Sequence, residues 1–131
     1  MCGFAGVLGN DVRLDVVRGM AAAIINRGPD DSGVWSDVEA SIALAHRRLS
    51  VVDLSPAGHQ PMASASGRYV IVFNGEIYNH LDMRTELEKS GGSFQWRGHS
   101  DTETLLAGID VWGIRSHTQE IHRHVRHRLV G

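Results

Sequence analysis

Short apolar runs closed by glycine, proline or asparagine are the feature that most constrains how this chain folds. Residues 2–8 (CGFAGVL) and 69–73 (YVIVF) have the length and composition of buried strands, and the second run ends at an Asn-Gly pair. Residues 34–44 predict a hairpin whose turn falls at Ser36-Asp37. No run approaches the roughly 20 apolar residues that cross a bilayer, so we expect no membrane span.

Three segments predict helices. Residues 15–25 place apolar side chains on one helical face. Residues 80–89 follow Asn79, a favourable N-cap, and a Ser-x-x-Glu capping box at 100–103 opens a third helix that ends at Gly113. The remaining segments are predicted as loops at 27–33 and 55–62 and as β-rich stretches at 48–54 and 93–96.

This alternation of strands and helices predicts an α+β domain with mainly antiparallel sheet. A length of 131 residues fits one ordinary domain, and a hydrophobic content of 42% is enough for a packed core. The net charge of −2 supplies no basic field for nucleic acid or an anionic membrane. A single Cys forms no intrachain disulfide, which favours a reducing, cytoplasmic setting.

The charge balance changes abruptly after residue 113. Residues 1–113 carry 9 Lys and Arg against 14 Asp and Glu, a net charge of −5, whereas residues 114–131 carry four Arg and one Glu, a net charge of +3. The basic segment reads as a surface tail. A metal or nucleic-acid site is the less favoured interpretation, because no ligand geometry supports one; it would use His117, His122, His124 and His127.

Cys2 is a candidate nucleophile because removal of Met1 would make it the N-terminal residue. Such a residue carries a thiol that can attack a carbonyl and an α-amine, of ordinary pKa about 7.7–8.0, that can accept a proton. On position alone, an incidental Cys near a chain end is the better interpretation.

Three further positions carry groups suited to acyl transfer from an amino acid. Asn74 and Gly75 could supply a side-chain amide and a backbone N–H to an oxyanion, although the pair is also a favoured β-turn. Arg48 matches a carboxylate and Asp101 an ammonium, so together they could hold a free amino acid. Taken singly, a surface Arg and a first-turn acid are the simpler interpretations.

The combination is more specific than its parts, because six blocks occur in order along residues 1–113. They are MCGFAG from Met1, RGPDDSG from Arg27, AHRRLSVVD from Ala45, GHQPM from Gly58, NGEIYNH from Asn74 and SDTE from Ser100. Together they resemble the N-terminal glutaminase domain of glutamine-hydrolysing asparagine synthetases, which are class II amidotransferases. The RGPD and HRRLS blocks favour this branch over another class II branch, the sugar-phosphate amidotransferases.

The resemblance implies an Ntn-hydrolase-like αββα sandwich of antiparallel sheets and the hydrolysis of L-glutamine to glutamate and ammonia. Cys2 would be the nucleophile and would form a γ-glutamyl thioester, with its own α-amine as base. Asn74 and Gly75 would form the oxyanion hole. The substrate-binding residues that it implies are Arg48 for the α-carboxylate, Glu76 and Asp101 for the α-ammonium, and Leu49, Val51 and Val52 along the pocket wall.

The resemblance also implies which groups belong elsewhere. The glutaminase domain itself takes no metal and no cofactor. ATP and magnesium belong to a C-terminal synthetase domain, which is absent from this sequence and which would choose the acceptor of the ammonia. A non-catalytic truncated remnant is the alternative function, and we expect weak glutaminase activity from residues 1–131 alone.

The domain is expected to be incomplete at its C-terminus, because family members continue after the Trp-Gly pair with a strand that residues 114–131 lack. The interpretation preferred over a surface tail or a metal site is the hypothesis that this tail is translated out of frame. One synonymous coding of residues 116–127, read one base later, gives a family-like continuation. The nucleotide sequence tests it: if no shifted frame continues the family pattern, the hypothesis is rejected.

Overall fold

A computed structural model describes residues 2–10, 12–50 and 55–128, and it describes side chains as far as residue 114. The fold is α+β with antiparallel sheets, as predicted. Its strands are β1 (Gly3–Leu8), β2 (Asp31–Asp37), β3 (Ile42–Arg48), β4 (Met62–Ala63) and β5 (Val70–Ile71). Its helices are α1 (Leu14–Ala23), α2 (His80–Lys89) and α3 (Asp101–Arg128), with 3-10 turns at Ile25–Arg27 and Pro56–Gly58.

The larger sheet has the order β1-β3-β2, so β3 is its central strand. Both neighbours run antiparallel to β3. The register pairs Gly3 with Arg47 and Asp31 with Arg48. One end of β3 therefore lies beside both the start of β1 and the start of β2.

One face of this sheet packs against α1. Val17 and Ala21 of the helix form a buried cluster with Ala43 and Ala45 of β3. The two alanines of the strand are fully buried. Small side chains at these positions allow the helix backbone to approach the sheet closely, and the cluster forms the first of two apolar cores.

The second core lies where α2 and α3 meet the smaller β4-β5 sheet. Ile77, Met83 and Leu105 form its buried cluster, and Ile71 and Phe73 pack against it. The segment that follows β5 contains the NGE motif, Asn74-Gly75-Glu76. This core holds that segment beside the first turn of α3.

A buried charge joins α2 to α3. Arg84 is 9% exposed. Its Nε donates to Thr104 Oγ1 at 2.8 Å and its Nη1 to the Gly98 carbonyl at 2.8 Å, while Nη2 lies 3.4 Å from Glu103 Oε2. Because a buried guanidinium without partners is strongly destabilising, these contacts fix the packing of the two helices.

The α2 boundaries match the prediction, but the capping contact does not. Asn79 precedes the helix and its carbonyl accepts from Met83 N at 3.1 Å, yet its side chain makes no capping hydrogen bond. At the other end Gly91 has φ +85°, the left-handed conformation that glycine adopts without strain.

The start of α3 is as predicted, but its cap and its end differ from the prediction. The Glu103 carboxylate accepts from the backbone N–H groups of Arg97, at 2.8 Å, and Gly98, at 3.1 Å, so the predicted capping box is replaced by contacts further back. The sequence predicts that the helix ends at Gly113. Gly113, with φ 77° and ψ 160°, does break the helical geometry, but the backbone then resumes that geometry to Arg128, so the predicted end is a break within a longer element. None of the described helices is both long and apolar enough to cross a membrane.

The predicted strand over residues 69–73 is shortened to Val70–Ile71. Beyond Ile71 the backbone of Phe73 bonds to side chains. Its N–H donates to Gln60 Oε1 at 2.6 Å and its carbonyl lies 3.3 Å from His46 Nε2. Side-chain amide and imidazole groups therefore replace a strand partner there.

The strand β2 is longer than the sequence predicts. All of Asp31–Asp37 pairs with β3. The predicted loop at 27–33 therefore ends at residue 30, and the hairpin turn lies at residues 38–41 rather than at Ser36-Asp37. Cross-strand pairing overrode the local turn preference at that pair.

The weak strand predicted at residues 93–96 does not form. The rings of Phe94 and Trp96 stack instead, with centroids 5.3 Å apart. The Arg84 guanidinium lies 4.2 Å from the Trp96 ring centroid, and the indole N–H donates to Glu88 at 3.0 Å. These contacts with α2 hold residues 93–96 in place without a neighbouring strand.

Leu87 and Leu81 lie on opposite sides of α2 and give a matched test of this packing. Leu87 is fully buried, whereas Leu81 is 62% exposed. Leu87→Ala should lower the free energy of unfolding by about 2–5 kcal/mol, through lost burial and the cavity left behind. Leu81→Ala should change it by less than about 0.5 kcal/mol. Urea denaturation of both variants measures this, and equal effects would contradict the arrangement.

Candidate active site

The Cys2 thiol lies at the end of the central strand. Cys2 immediately precedes β1, and because Gly3 pairs with Arg47, the cysteine is brought beside Leu49. Leu49 N–H donates to Cys2 Sγ at 3.3 Å, and Sγ lies 3.6 Å from the Leu49 carbonyl. The thiol is half-buried and held against the backbone that follows Arg48.

The RGPD block supports this backbone from the other side. Asp30 N–H donates to the Arg48 carbonyl at 3.0 Å, and Ser50 N–H donates to Asp30 Oδ2 at 2.8 Å. A Cβ on Gly28 would collide with the backbone of Arg47. The glycine therefore permits the loop to lie directly on the end of β3.

Arg48 is 8% exposed, so it is not the surface charge of the simpler interpretation. Its Nη1 donates to the Ser55 carbonyl at 2.9 Å. A Cβ on Gly58 would collide with its guanidinium, so a larger residue there would require the Arg48 side chain to move. The Pro56–Gly58 turn thus forms the support on which the guanidinium rests.

Asp31, the register partner of Arg48, extends this charged cluster. Its Oδ2 lies 2.7 Å from His59 Nδ1, and its Oδ1 accepts from Ser32 N–H at 2.7 Å. Partial burial is the largest influence and raises its pKa. The hydrogen bonds from His59 and Ser32, with the charge of Arg48, outweigh it and hold the pKa of Asp31 below its ordinary value.

His46 joins the central strand to the NGE segment. It is 1% exposed, and its Nε2 lies 3.3 Å from the Phe73 carbonyl. Since a carbonyl accepts, the imidazole donates from Nε2. Burial lowers the pKa of His46, so its neutral form is favoured.

Asn74, Gly75 and Glu76 are exposed in the loop after Phe73. Asp101 is brought to the far end of this loop, where its Oδ2 accepts from Ile77 N–H at 2.9 Å. The sequence-predicted residues therefore fall into two groups, one around Cys2, Arg48 and Leu49 and one at this loop. Within the described residues, no hydrogen bond joins Cys2 directly to Asn74, Gly75, Glu76 or Asp101. Val51 and Val52 lie outside the described residues.

Sequence reasoning missed the residues that support these groups. Ser55 accepts from Arg48, and Asp31, the register partner of Arg48, bonds to His59. His46 bonds to Phe73. The available signal was the period of two along β3, which places His46 and Arg48 on one face of the sheet. Among the described residues, no three His, Cys, Asp or Glu side chains cluster closely enough to hold a metal ion.

The sheet, the thiol at its end and the NGE loop define the type of domain. Residues 1–122 match the family model of the glutamine amidotransferase domain, and the chain belongs to that family. It is 39% identical to asparagine synthetase (glutamine-hydrolysing) 1 of Bacillus subtilis (strain 168) over 113 residues, which cover 82% of this chain and 17% of that protein.

Two further relatives give the same result. Over 113 residues, asparagine synthetase B (glutamine-hydrolysing) of Escherichia coli (strain K12) is 38% identical, covering 82% of this chain and 19% of that protein. A putative asparagine synthetase (glutamine-hydrolysing) of Mycobacterium bovis is 38% identical over 118 residues, which cover 85% of this chain and 18% of that protein. The chain thus spans less than a fifth of the length of these relatives, and the match lies in their glutamine amidotransferase part.

His46→Gln tests the buried imidazole through the pH dependence of stability. At pH 8 the variant should lose about 0.5–1.5 kcal/mol of unfolding free energy, the net worth of one hydrogen bond. Because the folded-state pKa of His46 is lowered, the wild type should lose stability as pH falls below the unfolded value of about 6.5. The cost of the substitution should therefore shrink between pH 8 and pH 5.5. A cost that does not change with pH, measured by urea denaturation, would contradict this assignment.

Proposed function

We propose that this domain hydrolyses L-glutamine to L-glutamate and ammonia with Cys2 as the nucleophile. The observation that carries the proposal is the 3.3 Å contact between Leu49 N–H and Cys2 Sγ, because it holds a half-buried thiol next to Arg48, the proposed ligand of the substrate α-carboxylate. An anchored thiol beside a buried guanidinium suits attack on an amino-acid amide.

The proton follows a short route in this mechanism. After removal of Met1, the Cys2 α-amine accepts the thiol proton as Sγ attacks the carboxamide carbon of the substrate. The resulting tetrahedral intermediate breaks its C–N bond, and the same proton passes to the leaving nitrogen as ammonia departs. Water then attacks the γ-glutamyl thioester to form a second tetrahedral intermediate, and the α-amine accepts a proton from that water. The C–S bond breaks, the proton passes to Sγ, and the thiol is regenerated as glutamate leaves.

The oxyanion of both tetrahedral intermediates is assigned to the Asn74 side-chain amide and the Gly75 N–H. In support, both residues lie exposed in a loop whose preceding residue, Phe73, is hydrogen-bonded on both its N–H and its carbonyl. Donors that are already fixed in place stabilise developing charge without reorganisation.

Charge complementarity supports the proposed substrate orientation. The planar Arg48 guanidinium matches the geometry of a carboxylate, and its Nη1 is anchored on the Ser55 carbonyl. Glu76 and Asp101 supply negative charge for the α-ammonium, and Asp101 is anchored by Ile77 N–H. Backbone groups at Leu49, Val51 and Val52 are assigned to the pocket wall.

An αββα sandwich is the proposed complete architecture. In support, α1 covers one face of the larger sheet, while a Cβ on Gly33 would collide with the Gln60 carbonyl on the other face. A second layer therefore already meets that face at one end. Phe4 and Leu8 of β1 are 54% and 78% exposed, which leaves apolar surface for more of the second sheet.

The ammonia is proposed to feed an ATP-dependent synthesis of asparagine, or of a related amide, in a synthetase domain. The names of two of the relatives compared above support this, since both are glutamine-hydrolysing asparagine synthetases. ATP and magnesium would act in that domain rather than in this one, and the cytoplasm is the proposed location.

Cys2→Ala tests the nucleophile directly. Glutamine-dependent release of glutamate should fall by at least about 10³-fold, because no thioester can form. Hydroxylamine added to the wild type should divert the thioester to γ-glutamyl hydroxamate, and the variant should form none. Since variants are compared as ratios, the test holds even where the activity of residues 1–131 alone is weak.

Arg13→Gln is the matched control for this substitution. Arg13 pairs with Asp15 in an exposed ion pair away from Cys2, so its loss should leave glutamate release unchanged. Mass spectrometry should show that active protein begins at Cys2. Release of glutamate that survives Cys2→Ala would refute the mechanism, and no Cys2-dependent release from the wild type would favour the non-catalytic remnant.

A further inference from the structure

We infer that Gln60 and Thr102 are positioning residues that hold both ends of the Asn74-Gly75-Glu76 turn through a closed ring of hydrogen bonds. The inference concerns residues that the proposed mechanism does not use. Its consequence for catalysis rests on the proposed function, because that turn is where the oxyanion donors and one ammonium ligand are assigned.

Gln60 holds the first end of the turn. It is 7% exposed. Its Oε1 accepts from Phe73 N–H at 2.6 Å, and its Nε2 donates to Thr102 Oγ1 at 3.3 Å. The orientation of the amide follows from the backbone N–H, which can only donate and therefore requires the oxygen.

Thr102 links Gln60 to Asp101, which holds the second end of the turn. It is 3% exposed. Its hydroxyl accepts from Gln60 Nε2 and donates to Asp101 Oδ1 at 3.3 Å. The other Asp101 oxygen accepts from Ile77 N–H at 2.9 Å. Each donor in this series meets an acceptor, so the buried groups satisfy one another.

The ring closes through the chain itself. Phe73 precedes the turn and Ile77 follows it, so the path from Phe73 through Gln60, Thr102 and Asp101 to Ile77 spans the three turn residues. Those three residues are exposed, whereas Gln60 and Thr102 of the ring are buried. The backbone of an exposed turn is thereby held at both ends by side chains from a loop and a helix.

The same hydroxyl also positions Asp101. A carboxylate with one oxygen on Ile77 N–H and the other on Thr102 Oγ1 keeps a single orientation. Loss of the Thr102 hydroxyl would leave the buried Gln60 Nε2 without its partner and release one Asp101 oxygen. Displacement of the turn would then misalign the oxyanion donors and the ammonium ligand together.

Thr102→Val is the decisive variant, because it removes the hydroxyl at nearly constant side-chain volume. Thr104→Val is its matched control. Thr104 is fully buried two residues further along α3, and its hydroxyl bonds to Arg84 Nε and the Ser100 carbonyl, outside the ring. Thr102→Ser keeps the hydroxyl and should restore function.

Glutaminase kinetics give the first readout. Thr102→Val should lower kcat/KM by about tenfold or more, with the loss shared between a higher KM for glutamine and a lower kcat, since both binding and oxyanion groups move. Thr104→Val should lower stability without this kinetic change, and Thr102→Ser should stay within about threefold of the wild type. Equal kinetics for Thr102→Val and Thr104→Val would overturn the positioning role.

Amide hydrogen exchange of the intact protein gives a readout that is independent of activity. Exchange at Ile77 should be faster in Thr102→Val, and exchange at Phe73 faster in Gln60→Leu, with neither changed in Thr104→Val after correction for global stability. Unchanged exchange at both sites would refute the ring itself. If the wild type shows no Cys2-dependent activity, the proposed function fails while this measurement still decides whether the ring holds the turn.

Discussion

Pairing of β3 with strands on both sides is the constraint on which the candidate site depends. The register sets Gly3 opposite Arg47 and Asp31 opposite Arg48, so a single strand end collects the N-terminal thiol, a buried guanidinium and a carboxylate. A shift of one residue along β3 would exchange the two faces of the sheet. The α1 core, built on Ala43 and Ala45, opposes that shift and so stabilises the site as well as the fold.

Side chains, rather than strand pairing, organise the half of the site that carries the NGE motif. The second sheet pairs over two residues in each strand. Beyond it, Phe73 is held by Gln60 and His46, and Ile77 by Asp101. Polar groups buried in such a network are costly to leave unsatisfied, so the network specifies one arrangement of an exposed turn. The contact between His46 and Phe73 links β3 to the second apolar core.

Several motif residues shape the backbone around the site and take no direct part in the proposed chemistry. Gly28 and Gly58 permit close approach to Arg47 and Arg48, and Asp30 bonds to Ser50 N–H. The RGPD and GHQP blocks therefore lie beside the same end of β3. Blocks far apart in the chain therefore contribute to one site. Asp31, which pairs with Arg48 in register and bonds to His59, lies there without a direct role in the proposed mechanism.

Local patterns in the sequence determined most element positions: β1, α2, the start of α3 and the break at Gly113 follow from apolar periodicity, helix-end chemistry and glycine conformation. The ordered motifs also identified the family and the residues assigned to the site. The length of β2, the truncation of the strand at Val70–Ile71 and the partners of Gln60 were decided by the tertiary structure. Those features depend on hydrogen bonds between residues distant in the chain, and a local pattern carries no information about which distant group will meet a given donor or acceptor.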